Sequence, residues 1–213
     1  MLFMDVMKDG GPVMWLILLC SIISVFIFLE KLFYLHRIQI NAGDLVRGLI
    51  NVLKRNSIVE AISLCDDTPG PAAHVLRASI IAYEEGEEDL RQAIDDAALG
   101  EIPRLEARMK ILATVGYITP LLGLLGTVLG MIRVFNTISL KGAMVNASDL
   151  SQGIGTALFT TAAGLCVAIP CFMAYNYLVS RIESLTLDME KASSEIIYFF
   201  KRNRVKLEKI DQK

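Results

Sequence analysis

Residues 111–132 read ILATVGYITPLLGLLGTVLGMI and contain no Asp, Glu, His, Lys or Arg. A helix of about 20 apolar residues crosses the hydrocarbon core of a bilayer, which is ~30 Å thick. Within that core a spanning segment must satisfy its own backbone hydrogen bonds, which favours an α-helix. The stretch therefore predicts a membrane-spanning helix.

Two further runs, residues 10–29 and 150–180, are also free of charged side chains. The whole chain of 213 residues is 54% hydrophobic, far above a soluble domain of this size. We predict an all-α integral membrane protein whose three transmembrane helices cover residues 12–35, 111–138 and 150–180. Asp5, Lys8 and Asp9 provide no positive flank for a signal peptide, so the first helix is expected to stay on the mature protein.

Basic residues predict the orientation. Residues 30–110 and 181–213 hold all of the 21 Lys and Arg residues except Lys8, Arg133 and Lys141. The positive-inside rule then places residues 36–110 and 181–213 in the cytoplasm, with long helices extending there. Residues 1–11 and 139–149 become a tail and a loop on the outer, periplasmic side, and the N-terminus lies outside.

Helical patterning also extends beyond the membrane runs. From Pro103 onward no stop signal appears, which predicts one helix continuing into the second membrane helix. Residues 150 to about 207 are expected to form one helix. Its far end carries an apolar stripe that requires partner helices, in cis or from other subunits: Ile182, Leu185, Met189, Ala192, Ile196 and Phe199.

The residues indicate neither an enzyme nor a metal or cofactor protein. There is no C-x-x-C motif, His36 and His74 stand alone, and no phosphate-binding glycine pattern accompanies the acidic residues 84–89. No basic patch has interleaved aromatic residues, so no nucleic acid partner is expected. The four cysteines are not expected to form a disulfide.

Small and hydroxyl side chains mark the second and third membrane helices. Gly123, Gly126 and Gly130 recur at helical spacing, which predicts close helix packing. In the third helix, residues 151–170 read SQGIGTALFTTAAGLCVAIP, and the hydroxyls of Thr156, Thr160 and Thr161 suggest a face that meets something polar. Pro120 and Pro170 each remove a backbone hydrogen bond and are expected to kink their helices.

The charge-free runs of the second and third helices contain no Asp, Glu, His, Lys or Arg. Proton relays through membranes use such groups. If protons cross here, the carboxylate must come from another protein, and the threonines would line its surroundings. A structural membrane scaffold, in which glycines and threonines only pack helices, remains the alternative.

The blocks RLEARMKILATVGYITPLLGLLGTVLGMI (104–132) and GIGTALFTTAAGLCVAIPCFMAYNYL (153–178) resemble the MotA/TolQ/ExbB proton-channel family, and its ExbB/TolQ branch most closely. The resemblance implies a homo-pentamer in the bacterial inner membrane that encloses a single-span partner of the ExbD/TolR type, in two copies, which supplies a membrane Asp. Proton flow would drive the partner to do mechanical work in transport or envelope maintenance.

The resemblance also implies roles for single residues. Thr127 and Thr161 match the family's pore-facing threonines, and with Thr156 and Thr160 they form the expected ion pathway. Many ExbB and TolQ proteins have Glu where this chain has Thr156, so the ionisable group falls to the partner. The adjacent pair Thr160 and Thr161 also resembles sodium-driven stator subunits, which keeps sodium as an alternative to protons.

Overall fold

The computed structural model describes residues 11–55, 57–86 and 89–211. In this part of the chain all regular structure is helical, and three helices are long and apolar enough to cross a membrane. The predicted all-α membrane fold is confirmed. Seven α-helices occur in the described residues: α1 Gly11–Ile38, α2 Ala42–Leu53, α3 Ile58–Asp67, α4 Pro71–Glu84, α5 Leu90–Glu106, α6 Met109–Lys141 and α7 Ala147–Asp211.

The three long helices extend beyond the apolar runs that predicted them. Helices α6 and α7 begin two and three residues before those runs, and all three helices end nine or more residues beyond them, because a helix can continue into the polar region once its backbone bonds are made within the segment. The predicted loop 139–149 is therefore mostly helical: a 3₁₀ turn at Gly142–Met144 leaves only residues 145–146 outside helices. Apart from Gly11, the predicted tail 1–11 lies outside the described residues.

The chain divides into two compact units. The membrane unit combines the described part of Met1–Lys31 with Arg108–Tyr177. The polar unit combines Leu32–Ala107 with the described part of Leu178–Lys213. The polar unit has its own core, in which Leu49, Leu76 and Ile80 are fully buried.

Local signals set the helix ends in the polar unit. Asn41 and Asp89 cap α2 and α5, each accepting a hydrogen bond from backbone N–H groups of the first turn. Before α4, Gly70 has φ of +115°, and a Cβ there would lie 2.7 Å from the backbone oxygen of Ile38. Pro71 then occupies the first position of α4, where its missing N–H is not needed.

The apolar stripe at the end of α7 packs in cis within the polar unit. Its members from Ile182 to Ile196 are buried, as expected. The last position is wrong, because Phe200 is buried and Phe199 is only partly so. The ring of Phe200 stacks on Tyr83 of α4 with centroids 4.1 Å apart, and this contact selects the i+4 position after Ile196 over the i+3 position.

The predicted continuous helix from Pro103 into the membrane is also wrong. Helix α5 ends at Glu106, and Arg108 adopts a left-handed conformation with φ of +66° before α6 begins. A non-glycine residue in this region is strained and needs support from its surroundings. Within the membrane unit the guanidinium of Arg108 pairs with the carboxylate of Glu30 in α1, a long-range contact that no local sequence signal reveals.

Candidate functional site

Helices α6 and α7 meet along a seam of small residues. On α6, a Cβ built at Gly126 would lie 2.3 Å from Oγ1 of Thr160, and one at Gly130 would lie 2.8 Å from Cβ of Ala157. At Gly123 the corresponding distance is 3.1 Å, to the carbonyl oxygen of Thr160. The glycines therefore lie where a side chain would collide with α7 of the same chain, so they pack two helices of one chain against each other.

Helix α7 contributes glycines to the same seam. A Cβ at Gly164 would lie 2.8 Å from the carbonyl oxygen of Thr119, and one at Gly153 would lie 2.5 Å from Cγ2 of Val134. Gly155, in contrast, has open space around its Cβ position. The sequence shows these glycines, but only the structure shows which of them face α6.

Thr160 lies in the middle of this seam. It has 0% of its surface exposed in the single chain, and its hydroxyl donates to the carbonyl oxygens of Ala157 (2.9 Å) or Thr156 (3.2 Å) in its own helix. A side chain that is already covered by its own subunit cannot line a pore in this conformation. The prediction that Thr160 belongs to the ion pathway is therefore corrected: it fills the space opposite Gly126.

Thr161 and Thr127 lie along one edge of the helix pair. The hydroxyl of Thr161 donates to the carbonyl oxygen of Gly123 across the seam, at 3.1 Å. Thr127 is one turn further along α6 from Gly123, and its hydroxyl donates to Leu124 of its own helix at 2.5 Å. Both side chains are partly exposed. Their role in an ion pathway stays a prediction.

Thr156 lies on the opposite edge. Relative to Thr160 it is rotated by about 40° in one direction, and Thr161 by about 100° in the other. Its side chain is buried, and its hydroxyl donates to the carbonyl oxygen of Gln152 at 3.0 Å. The three threonines of α7 therefore do not form one polar face, contrary to the expectation that groups Thr156 with Thr161.

The Thr156 edge is the polar one, and α1 lies beside it. A cleft of about 410 Å³ there is lined by Arg133, Asp149 and Thr156, among others. Asp149 pairs with Lys141 at 2.7 Å. A Cβ at Gly11, where α1 begins, would lie 3.1 Å from Nη2 of Arg133. The edge that carries Thr127 and Thr161 thus faces away from α1.

The prolines lie within continuous helices, Pro120 in α6 and Pro170 in α7. The expected kinks stay a prediction. Tyr117, three residues before Pro120, meets Phe172, two residues after Pro170, edge to face with ring centroids 5.1 Å apart. The sequence pattern did not indicate this contact between α6 and α7.

Residues 68–191 match the model of the MotA/TolQ/ExbB proton channel family. The chain is 33% identical over 201 residues to the putative biopolymer transport protein ExbB-like 1 of Synechocystis sp., covering 92% of this chain and 78% of the relative. It is 30% identical over 206 residues to the biopolymer transport protein ExbB of Neisseria meningitidis serogroup B, covering 90% and 93%. A shorter match, 44% over 91 residues, covers 43% of this chain and 61% of ExbB from Aquifex aeolicus.

Proposed function

The chain belongs to the MotA/TolQ/ExbB proton channel family, in its ExbB branch, and we propose that it is a ring-forming subunit of an inner-membrane motor driven by the proton motive force. The motor would convert ion flow into mechanical work on a single-span partner of the ExbD/TolR type. Its output would serve transport or envelope maintenance, since its relatives are named for biopolymer transport.

The observation that carries this proposal is the edge formed by Thr127 and Thr161. Two hydroxyl groups lie there on the side of the α6–α7 pair that faces away from α1. We propose that in the assembly this edge surrounds the central partner. Hydroxyl oxygens can solvate an ion or a protonatable group where lipid cannot.

The kind of partner is inferred from the acidic side chain that this edge lacks. The apolar stretches of α6 and α7 hold no Asp, Glu, His, Lys or Arg, the side chains that proton relays through membranes use. We propose that a membrane Asp of the partner supplies such a side chain, with two partner copies inside a homo-pentamer of this chain. A short single-span protein with such an Asp, encoded in the neighbouring reading frame, would be the first candidate.

Protons are the favoured ion. The sodium alternative rests on the adjacent hydroxyls of Thr160 and Thr161, but Thr160 is fully buried within its own chain. Thr161 alone then offers few oxygen ligands to replace the hydration shell of a sodium ion.

Flux measurements in proteoliposomes that contain the chain and its partner test the proposal. Thr127→Val and Thr161→Val should each reduce proton flux about tenfold, because removing a hydrogen-bonding group from a desolvated path costs ~1–2 kcal/mol. Thr114→Val is the matched control: Thr114 also lies on α6, is exposed, and bonds its hydroxyl to its own helix at 2.7 Å. Full flux in both pathway variants would refute the role of this edge, and flux that follows a sodium gradient but not a proton gradient would favour sodium.

Two further measurements address assembly and the scaffold alternative. Native mass spectrometry of the wild type and both valine variants should show five copies, and a monomer would remove the pore. An uncoupler that collapses the gradient should stop the energised process, whereas unchanged function would favour a scaffold. Because Gly126 packs within the chain, a substitution there cannot distinguish the two hypotheses.

A further inference from the structure

The carbonyl oxygen of Gly123 in α6 lies between the two threonines that form the edge described above. Across the seam it accepts a hydrogen bond from the hydroxyl of Thr161 at 3.1 Å. Within α6 the same oxygen is the acceptor for the N–H of Thr127, because Thr127 is four residues further along the helix. A carbonyl oxygen has two lone pairs, so both hydrogen bonds form together. One backbone group therefore connects Thr127 and Thr161.

Thr161 differs from the other two threonines of α7 in the direction of its hydrogen bond. Thr156 and Thr160 donate to carbonyl oxygens of their own helix, at 3.0 Å and 2.9 Å. A threonine in a helix divides between two rotamers, because its hydroxyl can reach a carbonyl oxygen of the preceding turn. The hydroxyl of Thr161 crosses to α6 instead. The contact with Gly123 thus selects one of the rotamers that a helix allows for this side chain.

The rotamer decides where the Thr161 hydroxyl lies. In the observed rotamer the hydroxyl points to α6, one turn from Thr127. Staggered rotamers differ by about 120° about χ1, so a hydroxyl that bonded to its own helix would leave the methyl group or the hydrogen on Cβ facing α6. The edge would then present one hydroxyl instead of two.

The close approach of the two helices at this point depends on the missing side chain of Gly123. A Cβ built there would lie 3.1 Å from the carbonyl oxygen of Thr160, 3.1 Å from Cα of Thr161 and 3.3 Å from the carbonyl oxygen of Thr161. All three are backbone atoms, which cannot rotate out of the way. A side chain at position 123 would therefore push α7 away and lengthen the hydrogen bond from Thr161.

We propose that Gly123 is a positioning residue of the ion pathway, whose carbonyl oxygen holds the Thr161 hydroxyl on the edge that it shares with Thr127. Because its hydrogen is donated to Gly123, the Thr161 oxygen keeps its lone pairs for accepting. It can then accept a hydrogen bond from the partner or contact a cation. The inference rests on the proposed function of this edge and adds a residue that acts through Thr161.

A double-mutant cycle on proton flux, in proteoliposomes that contain the chain and its partner, tests the inference. Gly123→Ala should lower the flux about fivefold, because Thr161 loses one neutral hydrogen bond that orients it. The double variant Gly123→Ala/Thr161→Val should conduct no less than Thr161→Val alone, because no hydroxyl is left for the carbonyl to position.

Gly130→Ala is the matched control for general separation of the helices. Its Cβ would lie 2.8 Å from Cβ of Ala157 and 3.0 Å from the carbonyl oxygen of Gly153, in the same seam but in contact with neither pathway threonine. We expect its flux to stay within about twofold of the wild type, because only additive effects are expected between residues without a shared contact. Native mass spectrometry should show the same number of copies for every variant.

Solid-state NMR of the assembled complex measures the hydrogen bond itself. With ¹³C at the carbonyl of Gly123, Thr161→Val should shift the resonance, because the oxygen loses one of its two donors. Thr161→Ser keeps the hydroxyl and should leave the resonance near its wild-type position.

The outcomes separate this inference from the proposed function. Full flux in Thr161→Val would refute the pathway role of Thr161 and, with it, the role of Gly123. Reduced flux in Thr161→Val with full flux in Gly123→Ala would overturn the role of Gly123 alone. Losses that multiply in the double variant, or an equal loss in Gly130→Ala, would indicate helix separation and overturn it as well. An unchanged Gly123 carbonyl resonance in Thr161→Val would do the same, even where Gly123→Ala fails to assemble.

Discussion

Replacing Gly126 by Ala adds one methyl group at the tightest point of the α6–α7 seam. The new Cβ would lie 2.3 Å from Oγ1, 2.5 Å from Cβ and 3.0 Å from Cγ2 of Thr160, whereas non-bonded carbon atoms prefer about 3.5–4.0 Å. Rotation of the threonine about χ1 moves Oγ1 and Cγ2 but not Cβ. The helices must therefore separate, and overpacking of this kind costs about 1–3 kcal/mol.

The gain in helix propensity on replacing Gly by Ala, about 1 kcal/mol, works against this cost. Gly155→Ala is the matched control, because Gly155 lies in α7 with open space at its Cβ position and receives the same gain without the collision. The difference between the two variants therefore isolates the packing cost. We expect Gly126→Ala to have a free energy of unfolding about 1–3 kcal/mol below that of Gly155→Ala, measured by reversible denaturation of the purified chain in detergent.

A double-mutant cycle makes the same test more specific. All three of the closest atoms belong to the side chain of Thr160, so Thr160→Gly removes every one of them. The double variant Gly126→Ala/Thr160→Gly should be more stable than the sum of the single effects predicts, with a coupling of about 0.5–3 kcal/mol. Additive effects, or a Gly126→Ala variant as stable as Gly155→Ala, would refute the packing described for this seam.

Two predictions concern the polar unit. Burial raises the pKa of the Cys65 thiol to about 11, so its alkylation by iodoacetamide at pH 8 should be about 100-fold slower than that of an ordinary cysteine. Because this pKa is raised above its unfolded value near 9, the contribution of the thiol to the free energy of unfolding should be complete below pH 9 and be lost between pH 9 and 11. The difference in free energy of unfolding between the wild type and Cys65→Ala should therefore shift over that range, and rapid alkylation would contradict the burial. Gly70→Ala should lower the unfolding temperature more than Gly86→Ala: both positions have positive φ, but only Gly70 places a Cβ against a backbone oxygen, at 2.7 Å, so equal shifts would show that backbone conformation alone decides the cost.

The sequence predicts the membrane helices well because charge and length dominate that decision. A charge cannot be placed in hydrocarbon without a large cost, so the charge-free runs predict the three spans. The ends of the helices depend on weaker effects. Helix α6, for example, continues to Lys141, beyond the predicted end at residue 138. Its last turn makes its hydrogen bonds within the helix and so can continue outside the apolar part of the bilayer.

The break at Arg108 could not be predicted from local signals. Helix ends are usually marked by Gly, Asn or Pro, and the segment around Arg108 has none of these. The left-handed residue is supported by its ion pair with Glu30, which is far away in sequence. Propensity rules treat each segment separately and so favour one uninterrupted helix.

The grouping of the threonines fails for a related reason. Four hydroxyl-bearing positions in two helices indicate a polar environment, but helical periodicity alone does not say which direction faces the neighbouring helix. The contact of Gly126 with Thr160 fixes that direction. Once it is fixed, Thr160 is covered, and Thr156 and Thr161 fall on different edges.

Because Thr156 and Thr161 lie on different edges of the helix pair, the absence of an acid at position 156 has a different consequence for the proposed ion pathway. The resemblance to ExbB and TolQ proteins suggested that Thr156 replaces a pathway carboxylate. In the structure Thr156 shares its edge with Arg133 and Asp149, beside α1, whereas Thr127 and Thr161 lie on the uncharged edge. A carboxylate at position 156 would therefore interact with the polar cleft before it could reach the Thr127–Thr161 edge. We propose that the missing acid leaves the ion pathway on that edge intact, because its titratable group comes from the partner.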